Sequence, residues 1–208
     1  MRATRPLLGT YVVIDAQAFD EDAARLAVDA AFAAIEQVQQ LMSAFDAGSD
    51  VTRINQHSHL EAVKVHRWTI EVLELAIAIH ADSGGLFDIG IAPRLADWNM
   101  LPDSGFHYED SSVASLVIDG DTVRSTKPTR IDLGGIGQVD PAADLACRRV
   151  EDVGLASASA GQGAASHPMR EGGGLGLEVR GVHAVQSRAS CRRSGAPGRQ
   201  APWTRACL

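Results

Sequence analysis

Two glycine-rich junctions carry the residues best suited to chemistry in this chain. Ser83-Gly84-Gly85-Leu86-Phe87-Asp88 follows a helical pattern, and Ile131-Asp132-Leu133-Gly134-Gly135-Ile136-Gly137 follows an extended one. Glycine lets a backbone approach a flat ligand because no Cβ stands in the way. In the first junction Phe87 would pack and Asp88 would accept hydrogen bonds from the edge of a heterocycle. Its plainer reading is a helix stop with a core Phe and a surface Asp. In the second junction, consecutive N–H groups can form a concavity suited to a phosphate, or simply turn the chain between two elements. The run is neither GxGxxG nor a P-loop, since no Gly-Lys-Ser/Thr follows. A third group, Ser43, Phe45, Ser49, Arg53 and Asn55, is polar and aromatic, and capping and loop hydrogen bonds account for it. His57 and His59 stand two apart with no acid at ligand spacing, so no metal site is read there.

The elements that must position these residues are legible from periodicity. Tyr11-Val12-Val13-Ile14, between Gly9 and Asp15, reads as a strand. Asp20 can cap a helix from about Glu21 to Ser43, whose buried face is Val28, Phe32, Ile35, Val38 and Met42. Asp50 to Asn55 reads as a short turn or helix, with a polar loop through His57-Ser58-His59, and Ala62-Val63-Lys64-Val65 as a strand. A second long helix spans about Trp68 to Ala81, with Val72, Leu75, Ala76 and Ile79 as its stripe, stopped by Ser83-Gly84-Gly85. Leu116 to Val123 forms a hairpin about Asp119-Gly120. Arg130-Ile131-Asp132-Leu133 reads as one more strand, and a last helix covers Ala142 to Val153. Strands and helices mix without βαβ alternation, which makes the fold class α+β.

Composition divides the chain near residue 155. Residues 1–155 hold 12 Lys/Arg against 24 Asp/Glu, whereas 156–208 hold 7 Arg, no Lys and 2 Glu. The first stretch reads as a folded domain. The second alternates Gly, Ala, Ser and Arg without hydrophobic period and reads as a disordered or out-of-frame tail, since it has too little apolar surface to offset ordering entropy. The acidic balance of the domain argues against nucleic acid as the main partner. Cys147, Cys191 and Cys207 form neither a CxxC nor an even disulfide framework. No apolar run is long enough to span a membrane, and the start lacks the apolar core of a secretory signal, so the expected location is the cytoplasm.

In their order along the chain, these motifs resemble those of the FAD:protein FMN transferases, the ApbE family. The matching segments are Leu7-Leu8-Gly9-Thr10 and Met42-Ser43-Ala44-Phe45, with Ser49-Asp50-Val51-Thr52-Arg53-Ile54-Asn55 after them. Ser83 to Ile89, with Pro93 and Trp98 downstream, and Ile131 to Gly137 continue the match. The resemblance implies a T-fold-like α+β domain, incomplete at its C-terminus, and an enzyme that splits the FAD pyrophosphate. FMN would pass to a Thr or Ser hydroxyl of an acceptor flavoprotein, with Mg²⁺ neutralising the phosphates. By the same resemblance Leu8, Ser43, Phe45, Leu86, Phe87, Asp88, Asp132 and Gln138 would line the FAD, and the Gly137 carbonyl would face the metal.

Departures from the family pattern temper that expectation. After Gly137 the family continues with Lys or Glu, Gly and an aromatic. Here Gln138-Val139-Asp140-Pro141 follows, as if about three residues were missing, and Gln138 cannot supply a charge. Ser159-Ala160-Gly161-Gln162-Gly163 stands where the family has Gly-Gly-Asp, and no Asp-Ala-x-x-Thr segment follows. Mg²⁺ keeps its waters unless carboxylates replace them. The expectation is therefore an impaired flavin transferase, with a shifted frame or truncated gene after about residue 160. Sequencing the locus for a downstream Asp-Ala-x-x-Thr tests that origin. The alternatives are a non-catalytic flavin-binding module and an inactive pseudogene product.

Overall fold

The structure is a computed structural model that describes residues 1–17, 20–102, 108, 110–136, 140–152 and 176–182. It opens with a hairpin of β1 (Arg2–Leu7) and β2 (Thr10–Gln17), antiparallel and in register from Arg2 opposite Asp15 to Leu7 opposite Thr10. The first of these strands was not read from the sequence. It contains Pro6, which an edge strand tolerates because one side of its ladder needs no donor. Residues 176–182, within the stretch read as a tail, form β6 (Gly176–Val182) on the other side of β2. The remainder of 153–208 lies outside the described residues.

Helix α1 (Glu21–Met42) crosses this sheet. Asp20 caps it by accepting from the Asp22 N–H, and Glu21 and Asp22 in the first turn suit the positive end of the dipole. Its inward stripe is the expected one, with Val28, Phe32, Ile35 and Val38 at 1% exposure or less. The stripe meets Val12, Ile14 and Ala16 of β2 and residues of α5 (Asp140–Asp152) in a single core. Each fully buried side chain of this size contributes about 1.5–3 kcal/mol.

The rest of the domain is built around two shorter helices and a small sheet. Helices α2 (Asp50–His57) and α3 (Arg67–Asp82) flank β3 (Val63–Lys64), which pairs with β5 (Thr122–Ser125). That strand also pairs with β4 (Leu116–Asp119) through the expected hairpin, whose positive φ of 59° falls on Gly120. A 3₁₀ turn at Ile89–Ile91 leads into α4 (Ala92–Asp97), which has a proline in its first turn. Arg148 on α5 pairs with Asp144 at 2.5 Å and with Glu71 of α3 at 2.9 Å, joining the two helices.

Two sequence readings need correction. The buried stripe of α3 is Thr69, Ile70, Val72, Leu73 and Ala76, while Leu75 and Ile79 are half-exposed. The packed face is thus rotated toward the N-terminal turn, where Thr69 is held by a buried carboxylate. Residues 130–133 form no strand. Their backbone groups are taken by side chains and by an isolated bond from the Asp132 N–H to the Ile89 carbonyl, so no ladder develops.

Candidate functional site

The three motif segments following α1 are tied together by hydrogen bonds. Asn55 at the end of α2 accepts from the Ile131 N–H at 2.8 Å and donates to the Ile131 carbonyl at 3.0 Å. One residue on, Asp132 N–H donates to the Ile89 carbonyl at 2.9 Å. Segments 49–55, 83–90 and 131–134 therefore meet at one place, although 76 residues separate Asn55 from Ile131. The segments are legible as sequence patterns; the long-range hydrogen bonds that join them leave no periodic trace.

Asp88 sits at the centre of the first glycine junction. Its Oδ1 accepts from the N–H groups of Gly90 at 2.7 Å and Val113 at 2.8 Å, and its Oδ2 accepts from Ser112 Oγ at 2.6 Å. Partial burial alone would raise its pKa, but these three donors, aided by His80, outweigh it and hold the carboxyl below its ordinary value. His80 Nδ1 lies 2.9 Å from the Phe87 carbonyl, which can only accept, so Nδ1 carries the proton. Gly84 and Gly85 both adopt positive φ, 64° and 84°, and the His80 ring lies 3.6 Å from where a Gly85 Cβ would stand. The loop they form presents Leu86 to solvent at 94% exposure, while Phe87 is half-buried against the core.

Asp132 is the contrasting carboxyl. It accepts from the Gly134 N–H at 3.1 Å. Burial pushes its pKa up, and neither that bond nor the charge of Arg130 fully compensates. An acid whose folded-state pKa lies above its unfolded one binds more protons folded than unfolded. The penalty is therefore absent below the unfolded value and grows as pH rises through the folded one. Asp132→Asn should raise the melting temperature at pH 7, with a gain that shrinks toward pH 4; a loss of stability at neutral pH would contradict this placement. Removing an uncompensated carboxylate is a stabilisation that sites held for function commonly show.

The remaining expected residues lie around α1. Leu8 and Gly9 are the two-residue turn of the first hairpin, both at positive φ (56° and 70°). Such turns favour Asn-Gly, and a leucine there is strained. Leu8 is kept in place by burial at 8% exposure and by its N–H donating to Gln39 Oε1 at 2.6 Å, a contact the sequence did not announce. Ser43 ends α1: its Oγ accepts from the Phe45 N–H, and its carbonyl accepts from Ser49 Oγ at 2.6 Å. Phe45 is 71% exposed. Gln138 and Gly137 lie outside the described residues. Among those described, no group of three or more His, Cys, Asp and Glu stands together as a metal site would require.

The sequence matches the family model of the ApbE family over residues 8–163. The chain belongs to the ApbE family. A curated relative, the FAD:protein FMN transferase of Vibrio cholerae, is 26% identical over 125 residues, covering 53% of this chain and 37% of that protein. Among solved structures, the ApbE protein of Thermotoga maritima matches with a TM-score of 0.63 at 22% identity, over 73% of this chain and 52% of that one. The flavin transferase ApbE of Vibrio cholerae matches with a TM-score of 0.62 at 21% identity, over 74% and 54%. The flavinyl transferase ApbE of Pseudomonas stutzeri matches with a TM-score of 0.63 at 22%, over 74% and 53%. At these identities the structural likeness establishes the α+β fold of an ApbE domain in part. The chain spans about half the length of the solved ApbE structures. No helix among the described residues is long and apolar enough to cross a membrane.

Proposed function

We propose that this chain binds FAD and is part of a flavin transferase acting on a Thr or Ser hydroxyl of an acceptor flavoprotein. Membership of the ApbE family carries the reading, and the bonded junction of segments 49–55, 83–90 and 131–134 supports it. On this reading, the exposed rings and alkyl groups of Phe45 and Leu86 offer apolar surface to an isoalloxazine or adenine, with Leu8, Ser43, Phe87 and Asp88 beside them. Asp88 contributes mainly as a strut, since both its oxygens already accept hydrogen bonds within the chain. Asp132, with more spare accepting capacity, is the carboxyl available to a ligand donor. In the proposed transfer the acceptor hydroxyl oxygen bonds to the FMN phosphorus as the pyrophosphate P–O bond breaks; AMP leaves with that bonding pair, and the hydroxyl proton passes to solvent.

Among the described residues no group of His, Cys, Asp and Glu would hold Mg²⁺; the proposed metal contact, the Gly137 carbonyl, lies outside them, as does Gln138, the remaining proposed FAD contact. Transfer is proposed to be impaired in this sequence, where Gln138 replaces the family's Lys or Glu and Ser159-Ala160-Gly161-Gln162-Gly163 stands in place of its Gly-Gly-Asp. The same departures favour, as a second reading, a module that binds flavin without transferring it. Incubation with FAD, Mg²⁺ and a Thr-bearing acceptor separates the two. Acceptor mass increased by FMN supports the transferase, and reversible flavin binding without that increase supports the module. Failure to bind FAD at all removes both.

A further inference from the structure

Asn55 has an unusual relation to the segment that carries Asp132. Its carboxamide pairs with both backbone groups of Ile131, accepting from the N–H at 2.8 Å and donating to the carbonyl at 3.0 Å. A single side chain thus does for one residue what a neighbouring strand would otherwise do. Ile131 and Leu133 are buried at 0% and 1% exposure, whereas Asp132 between them is only partly buried. Arg130 N–H donates to Ser111 Oγ at 3.0 Å, and Asp132 N–H donates to Ile89. The segment is pinned at three successive residues, and Asn55 supplies the two bonds of the middle one.

We infer that Asn55 is a positioning residue for Asp132, fixing the backbone from which that carboxylate meets the flavin. The inference rests on the flavin reading above for its ligand, but its geometry does not depend on it. Without the carboxamide, the Ile131 amide and carbonyl lose their partners, and the segment must move or admit water to satisfy them. Either outcome displaces Asp132 from its half-buried setting.

The test uses the full chain in three variants: Asn55→Ala, Asn55→Ser and Ile54→Val. The last thins the core beside Asn55, at a residue that is 0% exposed, and leaves the Asn55 carboxamide in place. Two readouts are taken: FAD binding by flavin fluorescence, and the titration of the Asp132 carboxyl by carbon NMR. Asn55→Ala should weaken FAD binding about tenfold and shift the Asp132 midpoint down toward that of a solvated carboxyl. Asn55→Ser, which keeps a small polar group, should do the same to a lesser degree and serves if the alanine variant does not fold. Ile54→Val should leave both readouts at their wild-type values. An unchanged Asp132 titration in folded Asn55 variants overturns the inference, as does an equal shift in Ile54→Val, which would mark a purely structural effect. If the unmodified chain binds no FAD, the flavin reading falls, and the NMR titration alone decides the role of Asn55.

Discussion

Gly90→Ala should destabilise the fold by about 3 kcal/mol, the upper range for forcing extra volume into a packed interior. The φ of Gly90 is an ordinary one, so the effect is a matter of space. A Cβ there would stand 2.5 Å from Ser112 Cα, 2.7 Å from Ser112 N and 2.8 Å from the Ser111 carbonyl carbon. Those atoms are backbone, so no rotamer change can make room. Moving the 111–112 backbone would also pull Ser112 Oγ and Val113 N–H away from Asp88, which Gly90 N–H itself helps to hold. The expected consequence is a fall in melting temperature of about 6–12 °C, from about 2–4 °C per kcal/mol in a chain of this size. An unaltered melt would mean that the two backbones do not approach this closely.

Asp50→Ala should cost a comparable amount, about 3 kcal/mol, through a different mechanism. Asp50 is 4% exposed and joins the starts of α2 and α3. Its Oδ2 accepts from the His66 N–H at 2.8 Å and from Thr69 Oγ1 at 2.7 Å, while Oδ1 accepts from the Arg53 guanidinium at 2.5 Å. Arg53 in turn donates to the Lys64 carbonyl. Truncation leaves a fully buried threonine hydroxyl and an amide at the start of α3 without their partner. Most of the cost comes from those orphaned groups, so Thr69→Val in the same chain should recover part of the loss. Denaturant unfolding of the single and double variants checks this. Strict additivity of Asp50→Ala and Thr69→Val would show that the two side chains do not share a bond.

Asp50 falls within a motif segment and Gly90 directly follows one, and this clarifies what those motifs do. Gly90 and Asp88 belong to one turn, and Asp50 and Asn55 to one short helix. Each of these polar residues spends its hydrogen bonds inside the chain. Much of what reads as a binding motif along the sequence is the frame on which exposed Phe45 and Leu86 and the half-buried Asp132 are carried.

Local structure was set by the amino-acid sequence alone wherever one physical rule acted without competition. Asp20 before Glu21, the apolar period through Met42, the glycines after Asp82 and the Asp119-Gly120 turn each produced the element expected of them. Family membership was legible for the same reason: motif order survives in a linear string. Tertiary structure decided the rest. It turned 130–133 from an expected strand into a pinned segment outside any sheet, because a carboxamide and a serine hydroxyl took the bonds a ladder needs. It admitted Pro6 to an edge strand and laid 176–182 against β2. It separated two similar aspartates, giving Asp88 enough donors to lower its pKa and leaving Asp132 too few to offset burial. Burial and hydrogen-bond supply are set by residues distant in sequence, and no pattern of neighbours encodes them.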